Sequence, residues 1–482
     1  MLFNSLPFAI FLPIVFAIYW SIAKNVKAQN IFLLAASYFF YGWWDWKILL
    51  LLVISTLVFY GLGIAISNAQ SQKKKSLFTT LGVIFGITTL IYFKYANFFI
   101  SSFKELFESI GLQSNLHTFN ILVPIGISFY TFRLLSYVID INRGKYEPTQ
   151  DIIAFSAYVA FFPSILSGPI DRPNSLIPQL QQKRIFNYAL AVDGLRQILW
   201  GLFKKMVIAD NCATIANQIF DNSANYSGST LIMGAIFYTF QLYTDFSGYS
   251  DMAIGVAKLL GFRLMKNFNY PFFAQNIADF WRRWHISLTS WLTDYVFMPL
   301  NVEWRDAGKF GMMLAIIVNF AICGLWHGAN WTFVLWGCYH GFLFIPLILT
   351  GAMFKKTKIE SYKWGLPKLQ TLCRMLLVFF LVVIGMILFR AESIAHAWEY
   401  ISEIFSPSLF TMPGNGLSMT QGTIFIFAFV LIEWFGRENQ YAIEKLGIKW
   451  KRLFRWFFYS FLVFMIAMFM KTEDIPFIYF QF

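Results

Sequence analysis

The chain has 482 residues, 58% of them hydrophobic and 13% charged, against roughly 45–50% and about 25% in an ordinary soluble protein. With a mean hydropathy of +0.57, this composition excludes a soluble globule and points to a polytopic all-α membrane protein. The net charge of +13 forms no basic stripe, so it is read as fixing topology and touching anionic lipid headgroups, with no nucleic-acid partner.

The residues before Pro7 lack a basic n-region, and no small-residue cleavage site follows the apolar stretch. Segment 7–22 is therefore expected to be the first span rather than a signal peptide. Further spans are expected at 30–43, 47–66, 76–93 and 119–139. The segments after the first, third and fifth carry Lys24 and Lys27, then Lys73, Lys74 and Lys75, then Arg143 and Lys145, whereas the intervening ones are close to neutral. By the positive-inside rule this puts the N-terminus outside. In the last third, Lys355, Lys356, Lys358, Lys363, Lys368 and Arg374 mark one cytoplasmic loop, and Arg437 with the bases from Lys445 to Arg455 marks another. Glu392, Glu399 and Glu403 mark an outer loop between them, so the C-terminus is also expected outside. The absence of a repeat or of a Gly/Ser linker predicts one membrane domain over 1–482.

From Asp245 to Asp306, charged and aromatic residues alternate at a density that no lipid-facing span tolerates, so this stretch must face protein, water or the interface. Segment 276–294 reads as an amphipathic interfacial helix, with Trp281, Trp284, Leu288, Trp291 and Leu292 on one stripe and Asp279, Arg283, Ser287, Ser290 and Asp294 opposite. His285 lies on the edge of the apolar stripe and points inward, as a site residue or as a hydrogen-bonded anchor. In segment 319–336, His327 sits among Gly324, Gly328, Asn330 and Trp331 within an apolar run. An ionisable residue at that depth is a functional candidate, and a neutral imidazole can take a proton from a hydroxyl; a packing histidine in a helix hairpin is the alternative. His340 reads as structural, and His117 and His396 as surface residues. Asp171 and Arg172 form an ion-pairable turn, and Asp245 and Asp251 either line a polar path, hold an imidazole or bond neighbouring helices. Cys212, Cys323, Cys338 and Cys373 have no metal-ligand spacing and read as buried thiols. No hydrolase elbow or metal motif is present.

Four blocks, SGPIDRP at 167–173, YTDFSGYSDMAIG at 243–255, NYPFFAQNIADFWRRWHISLT at 269–289 and GLWHGANWTFVLWG at 324–337, resemble the membrane-bound O-acyltransferase (MBOAT) family. They are most similar to its bacterial branch of alginate O-acetyltransferases, peptidoglycan O-acetyltransferases and teichoic-acid D-alanyl transferases. The resemblance implies about 11 transmembrane helices, with shorter tilted or re-entrant helices around a central tunnel and a motif-bearing core at about 119–350. It implies transfer of an acetyl or other acyl group from a cytoplasmic thioester, such as acetyl-CoA, to hydroxyls of an exported polysaccharide such as alginate. It makes His327 catalytic and His285 the second active-site position, with Asn330, Asp245, Trp284 and Arg283 as candidate substrate-binding residues and no bound metal or cofactor. Outer loops too short to form a domain call for a separate extracytoplasmic partner, which the resemblance implies is an SGNH-type acetyltransferase. The setting implied is the cytoplasmic, or inner, membrane. Teichoic-acid D-alanylation and peptidoglycan O-acetylation stay open within the class, and a transporter or flippase outside it.

Overall fold

Short polar side chains cut the apolar N-terminal sequence into helices. Ser5, Asn25, Asp45 and Ser71 each accept a backbone N–H of the turn that follows them, so Leu6–Ser21, Val26–Gly42, Trp46–Asn68 and Gln72–Leu90 all begin at a side-chain cap. The computed structural model describes residues 1–482 apart from 113–116, 120, 122, 356, 363–364, 415–416, 472–476 and 479–482. The described residues are helical and contain no strand. Lys356 and Lys363, two of the expected cytoplasmic charges, lie outside them.

Among the described residues, 7 helices are long and apolar enough to cross a membrane, and Leu6–Ser21 is a shorter apolar helix. The expected 11 is higher because several apolar segments form shorter helices. Ile127–Asn142 has 16 residues, about 24 Å of helix against a hydrocarbon layer of about 30 Å. It starts later than the expected 119 because Gly126, at φ +77°, turns the chain immediately before it. The helix expected to end near 93 instead continues through a π-helical turn at Ile91–Tyr95 to Ser109. Those 38 residues make about 57 Å of helix, longer than the bilayer core.

One compact unit comprises Met1–Leu195 and Ala253–Met265. Its interior is clipped by buried arginines. Arg133 donates to the Ser164 hydroxyl at 2.6 Å and to the carbonyls of Ser164 and Pro169 at 3.1 and 3.0 Å, which holds the SGPIDRP loop. Asp171 of that loop accepts the Met265 N–H at 3.2 Å. Arg184 donates to Gln29 and Asn30 at 2.9 and 2.7 Å.

The second unit comprises Arg196–Met252 and Lys266–Phe482. Its helices Gly308–His327 and Trp331–Leu343 form a hairpin in which Gly324 packs on the Phe333 carbonyl and Gly337 on the Phe320 carbonyl. A Cβ at either glycine would collide with backbone, so the close crossing needs both. Part of the charged stretch that defied a lipid-facing reading is interior: Asp245, Asp251 and Asp279 are buried, whereas Arg263, Arg282, Asp294, Arg305 and Asp306 are exposed.

Candidate active site

The segment around His285 is not one helix. Ile277–Trp281, capped by Asn276, and Ile286–Leu292 are separated by a break at His285, whose backbone is left-handed at φ 42° and ψ 55°. For a residue with a Cβ this conformation costs about 1–2 kcal/mol. Neighbouring backbone contacts hold it: the Ile286 N–H donates to the Asn267 carbonyl at 2.8 Å, and the Asn269 N–H to the Arg283 carbonyl at 2.9 Å. Trp281, Trp284, Leu288, Trp291 and Leu292 are buried, and so are Asp279 and Ser287 on the opposite stripe, whereas Arg283 and Ser290 are half-buried and Asp294 is exposed. Protein therefore covers the apolar face and part of the polar one.

His285 is 1% exposed and lies outside the helices long enough to span. Its ring meets Phe246 edge-on at 4.6 Å and Trp326 at 5.7 Å. Burial holds its imidazole well below the usual range, at about 3, so it stays uncharged and still offers one N–H donor. His327 closes the helix Gly308–His327 and is 4% exposed. Its ring meets Trp326 at 4.7 Å, Trp336 at 5.1 Å and Phe389 at 5.1 Å. The structure thus brings the two expected site histidines into one aromatic interior, with Trp326 a neighbour of both.

The other candidates have structural engagements. Asn330 caps Trp331–Leu343 by accepting the Thr332 N–H at 3.0 Å, and its amide donates to the Glu392 carbonyl at 3.1 Å. Arg283 pairs with Asp279 at 2.9 Å. Trp284 is buried among Tyr243, Phe268, Phe272 and Phe280. Asp245 sits 3.0 Å from the Lys205 ammonium and accepts the Ile478 N–H at 2.8 Å. Asp251 pairs with Lys204 at 2.6 Å. The ions that these two carboxylates hold are therefore lysines, not an imidazole. Lys204 and Lys205 lie in a π-helical turn, Lys204–Ala209, that the sequence reading missed. The signal was available, since two adjacent lysines inside the apolar run 198–209 have no place against lipid. Tyr243, donating to the Glu433 carboxylate at 2.8 Å, was missed as well.

His340 is fully buried, His117 is exposed, and His396 meets the Ser223 hydroxyl at 3.2 Å. The cysteines are all free, but only Cys212 and Cys323 are buried; Cys338 is half-buried and Cys373 exposed, because it falls on the outer side of Leu369–Arg390. Among the described residues no cluster of His, Cys, Asp and Glu has the spacing to hold a metal ion.

Fold and site define a multi-pass helical membrane protein whose interior carries buried imidazoles, His285 and His327 among them, where lipid-facing helices carry none. The chain belongs to MBOAT, the membrane-bound O-acyltransferase family, which matches residues 33–389, and it is therefore an acyltransferase. It is 37% identical over 452 residues to "Probable alginate O-acetylase AlgI" of Azotobacter vinelandii, covering 93% of this chain and 87% of that protein. It is 34% identical to the "Peptidoglycan O-acetyltransferase" of Helicobacter pylori, over 83% of this chain and 79% of the relative. With the "Teichoic acid D-alanyltransferase" of Bacillus subtilis it shares 31% identity over 58% of this chain and 71% of the relative.

Proposed function

We propose that this protein moves an acetyl group from a cytoplasmic acyl thioester, acetyl-CoA or a carrier-bound equivalent, toward hydroxyls of an exported cell-surface polysaccharide such as alginate. The observation that carries the reading is the pair of buried imidazoles around Trp326, in a chain 37% identical over 93% of its length to a protein named as an alginate O-acetylase. In this reading an acceptor hydroxyl attacks the thioester carbonyl while His327 takes its proton. The C–S bond then breaks and the imidazolium returns the proton to the departing thiolate. His327 lies in the last turn of Gly308–His327, where the helix dipole favours the cation that forms in between. His285 supplies one N–H to the oxyanion. Asn330, Asp245 and Arg283 serve by holding the segments that carry this machinery, and Trp284 by filling the space behind His285. The test is transfer of label from acetyl-CoA, acetyl-loaded carrier protein or D-alanyl carrier protein to purified protein and acceptor. Label from acetyl-CoA supports the reading, and transfer from the D-alanyl carrier alone overturns it.

The orientation proposed places both termini outside the cytoplasmic membrane and Lys73, Lys74, Lys75 and Lys355 in the cytoplasm. With native thiols removed, single cysteines at Ser71 and Ser361 are expected to resist an impermeant maleimide in intact cells. Labelling of both reverses the orientation.

The proposal includes an extracytoplasmic SGNH-type partner that finishes transfer onto the polymer. Deleting every candidate partner is expected to abolish polymer acetylation, measured by acetyl release from purified polysaccharide, while leaving transfer from acetyl-CoA to detergent-extracted protein intact. Undiminished polymer acetylation would show that the chain acts alone.

A further inference from the structure

A third imidazole stands in the same interior. His340, on Trp331–Leu343, has no exposed surface, and neither of its ring nitrogens has a hydrogen-bond partner among the described residues. The same is true of the indole nitrogens of Trp281 and Trp336, residues that are 3% and 1% exposed. The three rings are mutual neighbours. His340 lies 5.0 Å from each indole, at 90° to Trp281 and 71° to Trp336, and the indoles are 5.8 Å apart.

Phenylalanine would fill this space without the desolvation penalty that three unmade polar groups carry. An indole only donates, whereas an uncharged imidazole donates once and accepts once. A single water can accept both indole N–H groups and donate to the unprotonated imidazole nitrogen, and a buried water typically makes about three hydrogen bonds to such groups. Trp336 is also a wall of the His327 site, edge-on to that ring at 88°. On another side the cluster is closed by Gly385 of Leu369–Arg390, where a Cβ would stand 2.9 Å from His340 Nε2.

We propose that His340 is a positioning residue for His327. With the N–H groups of Trp281 and Trp336 it holds one water molecule, and the bound water fixes the Trp336 indole against the His327 ring. The inference rests on His327 being the base.

The experiment uses the purified full chain with acetyl-CoA as donor. His340→Phe keeps a ring and removes both nitrogens, so kcat is expected to fall about tenfold or more with KM for the donor within about threefold. His340→Gln, which retains a donor and an acceptor, is expected to recover part of that loss. Gly385→Ala should reproduce the loss with His340 chemically intact, which keeps the proposal testable if the Phe variant does not fold. A high-resolution map should show a solvent oxygen within about 3.2 Å of a His340 nitrogen and of both indole nitrogens. A folded His340→Phe protein with normal kcat and only a lowered melting temperature would overturn the positioning role, and a map without that oxygen would overturn the water. Failure of the underlying reading shows separately, as transfer by His327→Ala protein.

Discussion

His327→Ala is expected to abolish acyl transfer while the protein still inserts and purifies as a single species. The ring it removes lies between Trp326, Trp336 and Phe389, so the loss is a cavity in an aromatic interior, with a stability cost of about 1–3 kcal/mol. Chemistry loses far more, because a hydroxyl is a poor nucleophile until a base takes its proton, and a positioned base contributes about 10²–10⁴-fold. His327→Gln sharpens the comparison. Glutamine keeps a hydrogen-bonding group at the end of Gly308–His327 but accepts no proton usefully, so transfer from labelled acetyl-CoA is expected to fall nearly as far. Near-normal transfer by well-folded Gln protein would move the base elsewhere, and His285 would be the first candidate. His285→Ala is expected to lose about 10²–10³ in rate, the usual effect of one oxyanion donor. Because burial holds the His285 imidazole at about 3, it is uncharged throughout the neutral range. The pH dependence of transfer between about pH 5 and 9 should therefore keep its shape in the His285→Ala protein, measured on its residual activity.

The spans were readable because an apolar run and a short polar cap are local signals: Asp45 before Trp46 and Ser71 before Gln72 mark helix starts by their own hydrogen bonds. The break at His285 was not readable for the opposite reason. A left-handed histidine is imposed from a distance, by the carbonyl of Asn267 and the N–H of Asn269, and nothing within 276–294 announces it. Periodicity separates the two faces of the same segment without showing that protein also covers Asp279 and Ser287 on the polar one. Trp326, Trp336 and Phe389, which wall His327, were invisible among the 20% aromatic residues of the chain, most of which could equally be a membrane-interface belt. His327 itself was readable as an ionisable residue in an apolar run. Lys204 and Lys205, buried in the apolar run 198–209, obey the same rule.

The largest loss of stability is expected at Lys204. Lys204 Nζ lies 2.6 Å from the Asp251 carboxylate, with side chains 4% and 13% exposed. It also donates to the Ser247 hydroxyl at 2.9 Å, and Asp251 takes a further bond from Gln197 at 2.7 Å. Both charges were therefore desolvated on folding and their hydration is replaced by these few contacts. Lys204→Met leaves Asp251 buried with one neutral donor, and breaking a buried pair in this way costs about 3–5 kcal/mol, a large part of the roughly 5–15 kcal/mol that holds a typical domain together. Lys205 does not substitute, since its ammonium is engaged at 2.8 and 3.0 Å by Asp210 and Asp245. Replacing both partners, Lys204→Met with Asp251→Leu, removes the uncompensated charge and should restore most of the loss, because a well-packed apolar pair is often as stable as a buried ion pair. Thermal or denaturant unfolding of the four proteins in one detergent measures this as a coupling of about 2–3 kcal/mol. Additive losses would mean that the two side chains act independently despite their separation. The folded fraction of each variant should transfer acetyl at the native rate per molecule, since the pair touches none of the rings around His327. Loss of rate in folded Lys204→Met protein would instead place this network in the chemistry.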